Sequence, residues 1–158
     1  LGDVRLRRYR RRDRDAVLRI TRESFAGVCL DHNIEQRFGT VQGTTWQERK
    51  AAGIESDLSR HPQDAFVAEL HGEVVGFVCT RVYRATSTGH IANLAVSPEH
   101  RGRGVGRALV EHALEHFRGQ GLSFARIETL EQNQVGQHLY PAAGFEEIGR
   151  QVFYFQRL

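Results

Sequence analysis

Methionine is absent from this 158-residue chain, lysine occurs once, at Lys50, and cysteine only twice, at Cys29 and Cys79. Two distant cysteines without a Cys-x-x-Cys pair argue against a disulfide framework or a cysteine-rich zinc site, and they fit a reducing compartment. No apolar run approaches the roughly 20 residues a membrane span needs, and no apolar leader core follows the basic start. The expectation is a cytoplasmic protein with no membrane partner. Internal repeats, linkers and low-complexity tracts are also missing. What remains is 40% hydrophobic, 26% charged and 9% aromatic, which suits one α/β or α+β domain over residues 1–158.

The net charge of +3 hides an uneven distribution. Seven arginines against Asp3 and Asp13 leave +5 on the first 14 residues, and the other 144 carry −2. A nucleic-acid reading would rest on that terminus alone. Val4-Arg5-Leu6-Arg7 alternates as an edge strand does, however. That places the arginines on the solvent side, where charge blocks sheet-to-sheet aggregation. Nucleic acid is therefore not the expected partner.

Asp13 or Asp15 can cap a helix reaching about Phe25, and helices near 32–38 and 45–60 are plausible. Residues 65–79 read as a hairpin turning at His71-Gly72-Glu73. An apolar strand at 91–96 stops at Ser97-Pro98. Val105, Leu109, Val110, Ala113, Leu114 and Phe117 then mark one face of a helix. A strand at 122–130, a short helix at 133–143 and a pair of strands at 145–156 complete the expected order.

The informative segment is Arg101-Gly102-Arg103-Gly104-Val105-Gly106-Arg107, which joins a strand to a helix. Glycines let a backbone approach an anion closely, and the N–H groups of a helix start point at it. With Glu99, residues 97–107 carry +2, and the arginines suit a phosphate. A plain glycine-rich connector is the alternative. No lysine stands where the P-loop requires one. The dinucleotide pattern meets Arg107 or Leu109 where glycine or alanine belongs, and only Glu128 lies at a suitable distance for its acid.

With Arg101, Gly104 and Gly106, this segment resembles the Arg/Gln-x-x-Gly-x-Gly/Ala signature of the GCN5-related N-acetyltransferases. Val96-Ser97-Pro98 before it, and Asn133, Tyr140, Gly144 and Phe145 after it, resemble further landmarks of that family in the same order. The resemblance runs from residue 4 to 157 and is weakest over 26–64. It implies a mixed, splayed sheet of six to seven strands flanked by about four helices. It also implies acetyl-CoA as co-substrate, with no metal. Gly136 and Pro141 depart from the family pattern. Proline there removes a backbone donor, which should kink or shorten the helix just past Tyr140.

The resemblance implies that the CoA pyrophosphate sits on the backbone of 102–107, made of Gly102, Arg103, Gly104, Val105, Gly106 and Arg107. Pantetheine would lie along Leu94, Ala95 and Val96, with the N–H of Leu94 or Ala95 as oxyanion donor. Asn133 would cap its helix, touch CoA, or both. Tyr140 becomes the candidate acid for the departing thiolate, and a half-buried structural tyrosine is the plain alternative. The attacking amine must also lose a proton. His90, six residues before Val96, is the candidate base beside a plain surface histidine, with Glu69 and Glu73 behind it. Asp31, Glu35, Trp46, Arg81, Tyr83 and Tyr154 fall in the regions expected to shape the acceptor site. That acceptor is left as a primary amine, small molecule or peptide N-terminus, and a homodimer is left open. A CoA-binding module without turnover is the rival. His112-Ala113-Leu114-Glu115-His116 matches a zinc-peptidase pattern, but it lacks a convincing third ligand and reads as a helix flank.

Overall fold

The computed structural model describes residues 3–158. Strand β1 (Val4–Arg8) leads through a short turn into α1 (Arg14–Ser24), α2 (Leu30–Phe38) and α3 (Trp46–Arg60). Strands β2 (Ala65–Leu70), β3 (Glu73–Tyr83) and β4 (Thr88–Val96) follow, then α4 (Val105–Gly119), β5 (Phe124–Ile127) and α5 (Gln134–Ala142). The sheet runs β1-β2-β3-β4-β5 in sequence order. Its first three pairings are antiparallel and β4–β5 is parallel.

Local chemistry accounts for most boundaries. His71 and Gly72 both take positive φ, the backbone that a two-residue hairpin needs between β2 and β3. Thr45 and Glu48 form a reciprocal capping box at the start of α3. Alternation along β2, β3 and β4 then builds two cores. Val67, Phe77, Cys79 and Ala95 pack under α1 and α3, while Val75, Val78 and Ile91 pack under α4. Gly89 lets the α4 face lie tight on the sheet, because a Cβ there would stand 2.3 Å from the Phe117 ring.

Among the described residues there are five strands rather than six to seven, and five α-helices where about four were expected. The missing strands are those expected over 145–156. That segment runs toward α2 instead of alongside β5. The Arg157 guanidinium donates to the Phe38 carbonyl at 3.0 Å, and the Phe155 and Phe38 rings meet edge-on. Phe145 packs against the core under α4, but the side chains after it stay out, with Ile148 98% and Tyr154 91% exposed.

The arginines of β1 are also not all on the solvent side. Arg7 turns inward and holds the buried Asp13 carboxylate through both terminal nitrogens, at 2.7 and 2.9 Å, and Glu69 through Nε at 2.8 Å. Burial works to raise the Asp13 pKa. The bonds from Arg7 and from the Arg10 N–H outweigh it and hold the carboxyl below its ordinary value.

Candidate active site

The pairing of β4 with β5 stops early. Thr88 through Ile91 match Phe124 through Ile127, and beyond that point the two strands part. A bulge lies at the same place. Cys79 pairs with Asn93 and Thr80 with Ile91, which leaves Ala92 without a partner in β3. The gap has β4 as one lip and residues 128–130 as the other.

The ladder decides which backbone groups face that gap. The Ser97 N–H donates to the Val75 carbonyl at 2.8 Å. In an antiparallel ladder the direction alternates, so Ala95 and Asn93 bond toward β3 while Leu94 and Val96 turn toward the side β5 has left. Of the two strand N–H groups considered as oxyanion donors, Leu94 faces the gap and Ala95 is spent on β3. The Val96 carbonyl is already engaged by the Ser24 hydroxyl at 3.0 Å and by Arg101 at 3.4 Å.

At one end of the gap lies the start of α4. Gly104 caps it at φ +78°, a left-handed backbone that favours glycine, and carries no side chain to close the helix end. The first backbone bond into the helix runs from the Ala108 N–H to the Gly104 carbonyl at 3.0 Å. The N–H groups of Val105, Gly106 and Arg107 are therefore left without helical partners. Gly102 is left-handed as well. The three arginines do not form one fork, however. Arg101 reaches back to the carbonyls of Val96 and Ser24, and Arg107 pairs with Glu111 at 2.8 Å on the helix surface. Arg103 is exposed. What the helix start itself offers is the row of free backbone N–H groups, not an arginine fork.

Helix α5 flanks the gap. The Asn133 side-chain oxygen Oδ1 accepts the Gly136 N–H at 3.1 Å, and its side-chain Nδ2 donates to the Thr129 hydroxyl at 2.8 Å. Asn133 is thus a helix cap. Its folded-back side chain also explains the glycine at 136, where a Cβ would stand 2.8 Å from Asn133 and 3.0 Å from the Tyr140 ring. Proline 141 shortens the helix less than expected, since α5 continues to Ala142. The Tyr140 ring packs beside Leu139, Ala143 and Phe145, and burial alone pushes its phenol up to about 12.

On the α3 face of the sheet, at the mouth of the gap, His90 is buried rather than a surface side chain. Its Nε2 lies 2.8 Å from Glu128 Oε1, while Nδ1 is buried without a partner. The two side chains differ sharply in access, His90 being 7% exposed and Glu128 62%. Burial, opposed in part by Glu128, holds the imidazole below its ordinary pKa. With a carboxylate as acceptor, Nε2 carries the hydrogen and the basic lone pair sits on the enclosed Nδ1. Glu128 is then the member of the pair that a ligand in the gap would meet.

The other residues considered are arranged as follows. Glu69 is tied to Arg7. Glu73 is exposed at the far end of β3, within 3.3 Å of Arg19. Asp31 and Glu35 lie against Arg49, and Glu35 also accepts the Trp46 N–H. Arg81 donates to Asp57 at 2.5 Å, and Asp57 in turn accepts from Asn93 at 3.1 Å. Tyr83 lies beside His90, with ring centres 6.2 Å apart. Away from the gap, His116 pairs with Asp64 at 3.2 Å, and both His112 and His116 stack edge-on against Phe66. Among the described residues no group of three or more His, Cys, Asp or Glu side chains could hold a metal ion.

The model of the acetyltransferase (GNAT) family matches residues 25–145. The chain belongs to the GNAT family. Among relatives of this GNAT chain is the mycothiol acetyltransferase of Thermobispora bispora, 32% identical over 96% of the chain and 49% of the relative. That of Streptomyces griseus is 31% identical over 85% of the chain and 40% of the relative. The chain spans less than half the length of these two proteins. Among solved structures, the PaiA N-acetyltransferase of Thermoplasma acidophilum in complex with coenzyme A superposes with a TM-score of 0.71 at 19% identity. The match covers 90% of this chain and 89% of that one. The ribosomal-protein-S18-alanine N-acetyltransferase of Escherichia coli gives 0.69 at 20% identity, covering 92% and 79%. These two likenesses show the GNAT fold.

Glu128, Asn93, Asp57, Lys50 and Ser24 were not among the site residues expected from sequence. From sequence alone Glu128 stands only as the acid of a dinucleotide site. Lys50 carried one usable signal, as the single lysine among 21 arginines.

Proposed function

We propose that this GNAT domain, residues 1–158, transfers an acetyl group from acetyl-CoA to a primary amine by direct attack. The reading rests on one observation: the gap between β4 and β5 has an uncapped helix start at one end and the His90–Glu128 pair at the other. The N–H groups of 105–107 would hold the pyrophosphate. The Leu94 N–H would accept charge developing on the carbonyl oxygen as the amine adds. Free alkyl amines titrate near ~10, so the acceptor arrives largely protonated. Glu128 takes that proton, directly or through water, and His90 holds the carboxylate in place. Tyr140, kept protonated by burial, donates a hydrogen bond to the sulfur as the C–S bond breaks.

Small amines and peptide N-termini both fit this chemistry. For partners we propose the amine acceptor and a second copy of the chain, without nucleic acid or membrane. A homodimer is supported by the apolar side chains that 148–155 leaves exposed. The two buried free thiols support a reducing cytoplasm. No helix among the described residues is long and apolar enough to cross a membrane.

The test is thiol release from acetyl-CoA, with amines, amino acids, polyamines and short peptides offered as acceptors. Release that depends on an amine, with a matching acetylated product by mass spectrometry, supports transfer. Tight acetyl-CoA binding with no release for any acceptor supports a binding module without turnover instead.

A further inference from the structure

The chain's single lysine has no ion-pair partner among the described residues. Lys50 projects from α3 toward the strand lip of the gap, where its Nζ donates to the Asn93 side-chain oxygen at 2.7 Å and lies 4.4 Å from the centre of the Phe25 ring. The carboxylates around it are taken. Both Asp57 oxygens are engaged, one by Arg81 and one by the Asn93 amide, and Asp31 lies on Arg49. Because the Asn93 amide donates to Asp57, its carbonyl oxygen is turned toward Lys50 and held there. A neutral amide and an aromatic face compensate a desolvated ammonium only in part. Burial accordingly pushes the Lys50 pKa below its ordinary value. An ammonium has three hydrogens to donate, and this one has a single hydrogen-bond acceptor.

Its position gives the missing partner a role. Asn93 lies just past the unpaired Ala92, where β5 has left β4, and next to Leu94, whose N–H faces the gap. Asn93, Arg81 and His90 share the α3 face of the sheet. A group bound at Lys50 therefore lies on the side from which an amine would reach a thioester stretched along β4.

We infer that Lys50 is the anchor for a carboxylate carried by the acceptor, so that the preferred substrate is an amine that also bears an acid. This rests on the acetyl-transfer reading of the same gap. The carboxylate receives the open N–H groups of Lys50 and gives the ammonium the ion pair it does not have among the described residues. An acceptor bearing only an ammonium meets a fixed cation and is repelled. Arg81 does not serve in place of Lys50, because Asp57 already neutralises it.

The kinetic test compares amino acids with their primary amides as acceptors, in wild-type protein and in Lys50→Met, which keeps the length of the side chain and removes the charge. A charge-assisted bond in a sheltered site corresponds to roughly a 10–100-fold preference for the free acid in kcat/KM. Lys50→Met is expected to abolish that preference by raising KM for the acids and, with the repelling charge gone, lowering it for the amides. Equal use of acids and amides by the wild type overturns the assignment, and so does a preference that survives Lys50→Met.

A second measurement needs neither turnover nor a variant. As the only lysine, Lys50 can be followed by reductive methylation and peptide mass spectrometry. N-acetylated amino acids, which have no amine to consume the reagent, are expected to slow its labelling severalfold, and their amides are not. Equal labelling with acids and amides overturns the anion site. Protection by the acids without thiol release for any amine would retain the anion site and remove the acetyl-transfer reading, so the two failures are distinguishable.

Discussion

Glu128→Gln separates the two members of the pair at the mouth of the gap. Glu128 is 62% exposed, so its bond to His90 is screened by water and is worth at most about 0.5 kcal/mol to stability. For a domain of this size that corresponds to a Tm change of about 1–2 °C. Glutamine keeps a side-chain oxygen where His90 Nε2–H needs an acceptor, so the ring is not released. What the substitution removes is the site that takes the acceptor's proton. General-base assistance contributes roughly 10²–10⁴ in rate, or about 3–5 kcal/mol of barrier. The variant should therefore melt with the wild type and release thiol about a hundredfold more slowly or worse at saturating acceptor. His90→Ala provides the contrast. It loosens Glu128 without removing it, so its loss should be smaller, even though burying a new cavity costs more stability. Glu128→Gln turnover within threefold of wild type would refute the assignment. So would a larger kcat loss in His90→Ala at equal folded fraction, which would return the base to histidine.

Two further outcomes follow from the packing. Tyr140→Phe should lower kcat about a hundredfold with acetyl-CoA affinity unchanged by calorimetry, because the phenol acts on the leaving sulfur and the ring's packing survives; unchanged kcat removes it from the reaction. Asp13→Asn should cost about 3 kcal/mol in urea unfolding at pH 7, since Arg7 loses its bidentate carboxylate and keeps Glu69 as its one charged partner. Asp13 has its folded pKa below the ordinary 3.8, so the stabilisation it gives is complete above that ordinary value and is lost as the pH falls through the folded one. The gap in stability between wild type and Asp13→Asn should thus narrow in strong acid, and a gap constant from pH 7 to pH 2 would contradict the mechanism.

The glycine-rich cradle was readable from residue types, because its geometry is local. A left-handed Gly104 before an amphipathic helix yields free N–H groups whatever surrounds it. Helices α1, α3 and α4 and the β2–β3 turn were legible for the same reason, each carrying its own cap, period or positive-φ turn. The edge-strand arginines were half legible. Alternation predicts Arg5 and Arg7 outward together; Arg5 is exposed, but Arg7 followed the carboxylates of Asp13 and Glu69, one of them 62 positions away. Residues 145–156 carry a strand-like apolar pattern, yet pairing needs an adjacent edge, and this segment runs to α2 instead.

By itself, then, the sequence determined the glycine-led helix start with its free N–H groups and the family to which the chain belongs, since both reside in short runs of neighbouring residues. The tertiary structure alone decided which side chains face the gap. His90 meets Glu128 across 38 positions and Lys50 meets Asn93 across 43, through the parallel pairing of β4 with β5 and the docking of α3 on the sheet. Nothing in the chemistry of either residue sets its partner. The bulge at Ala92 and the early parting of two strands do, and those come from the packing of the whole sheet.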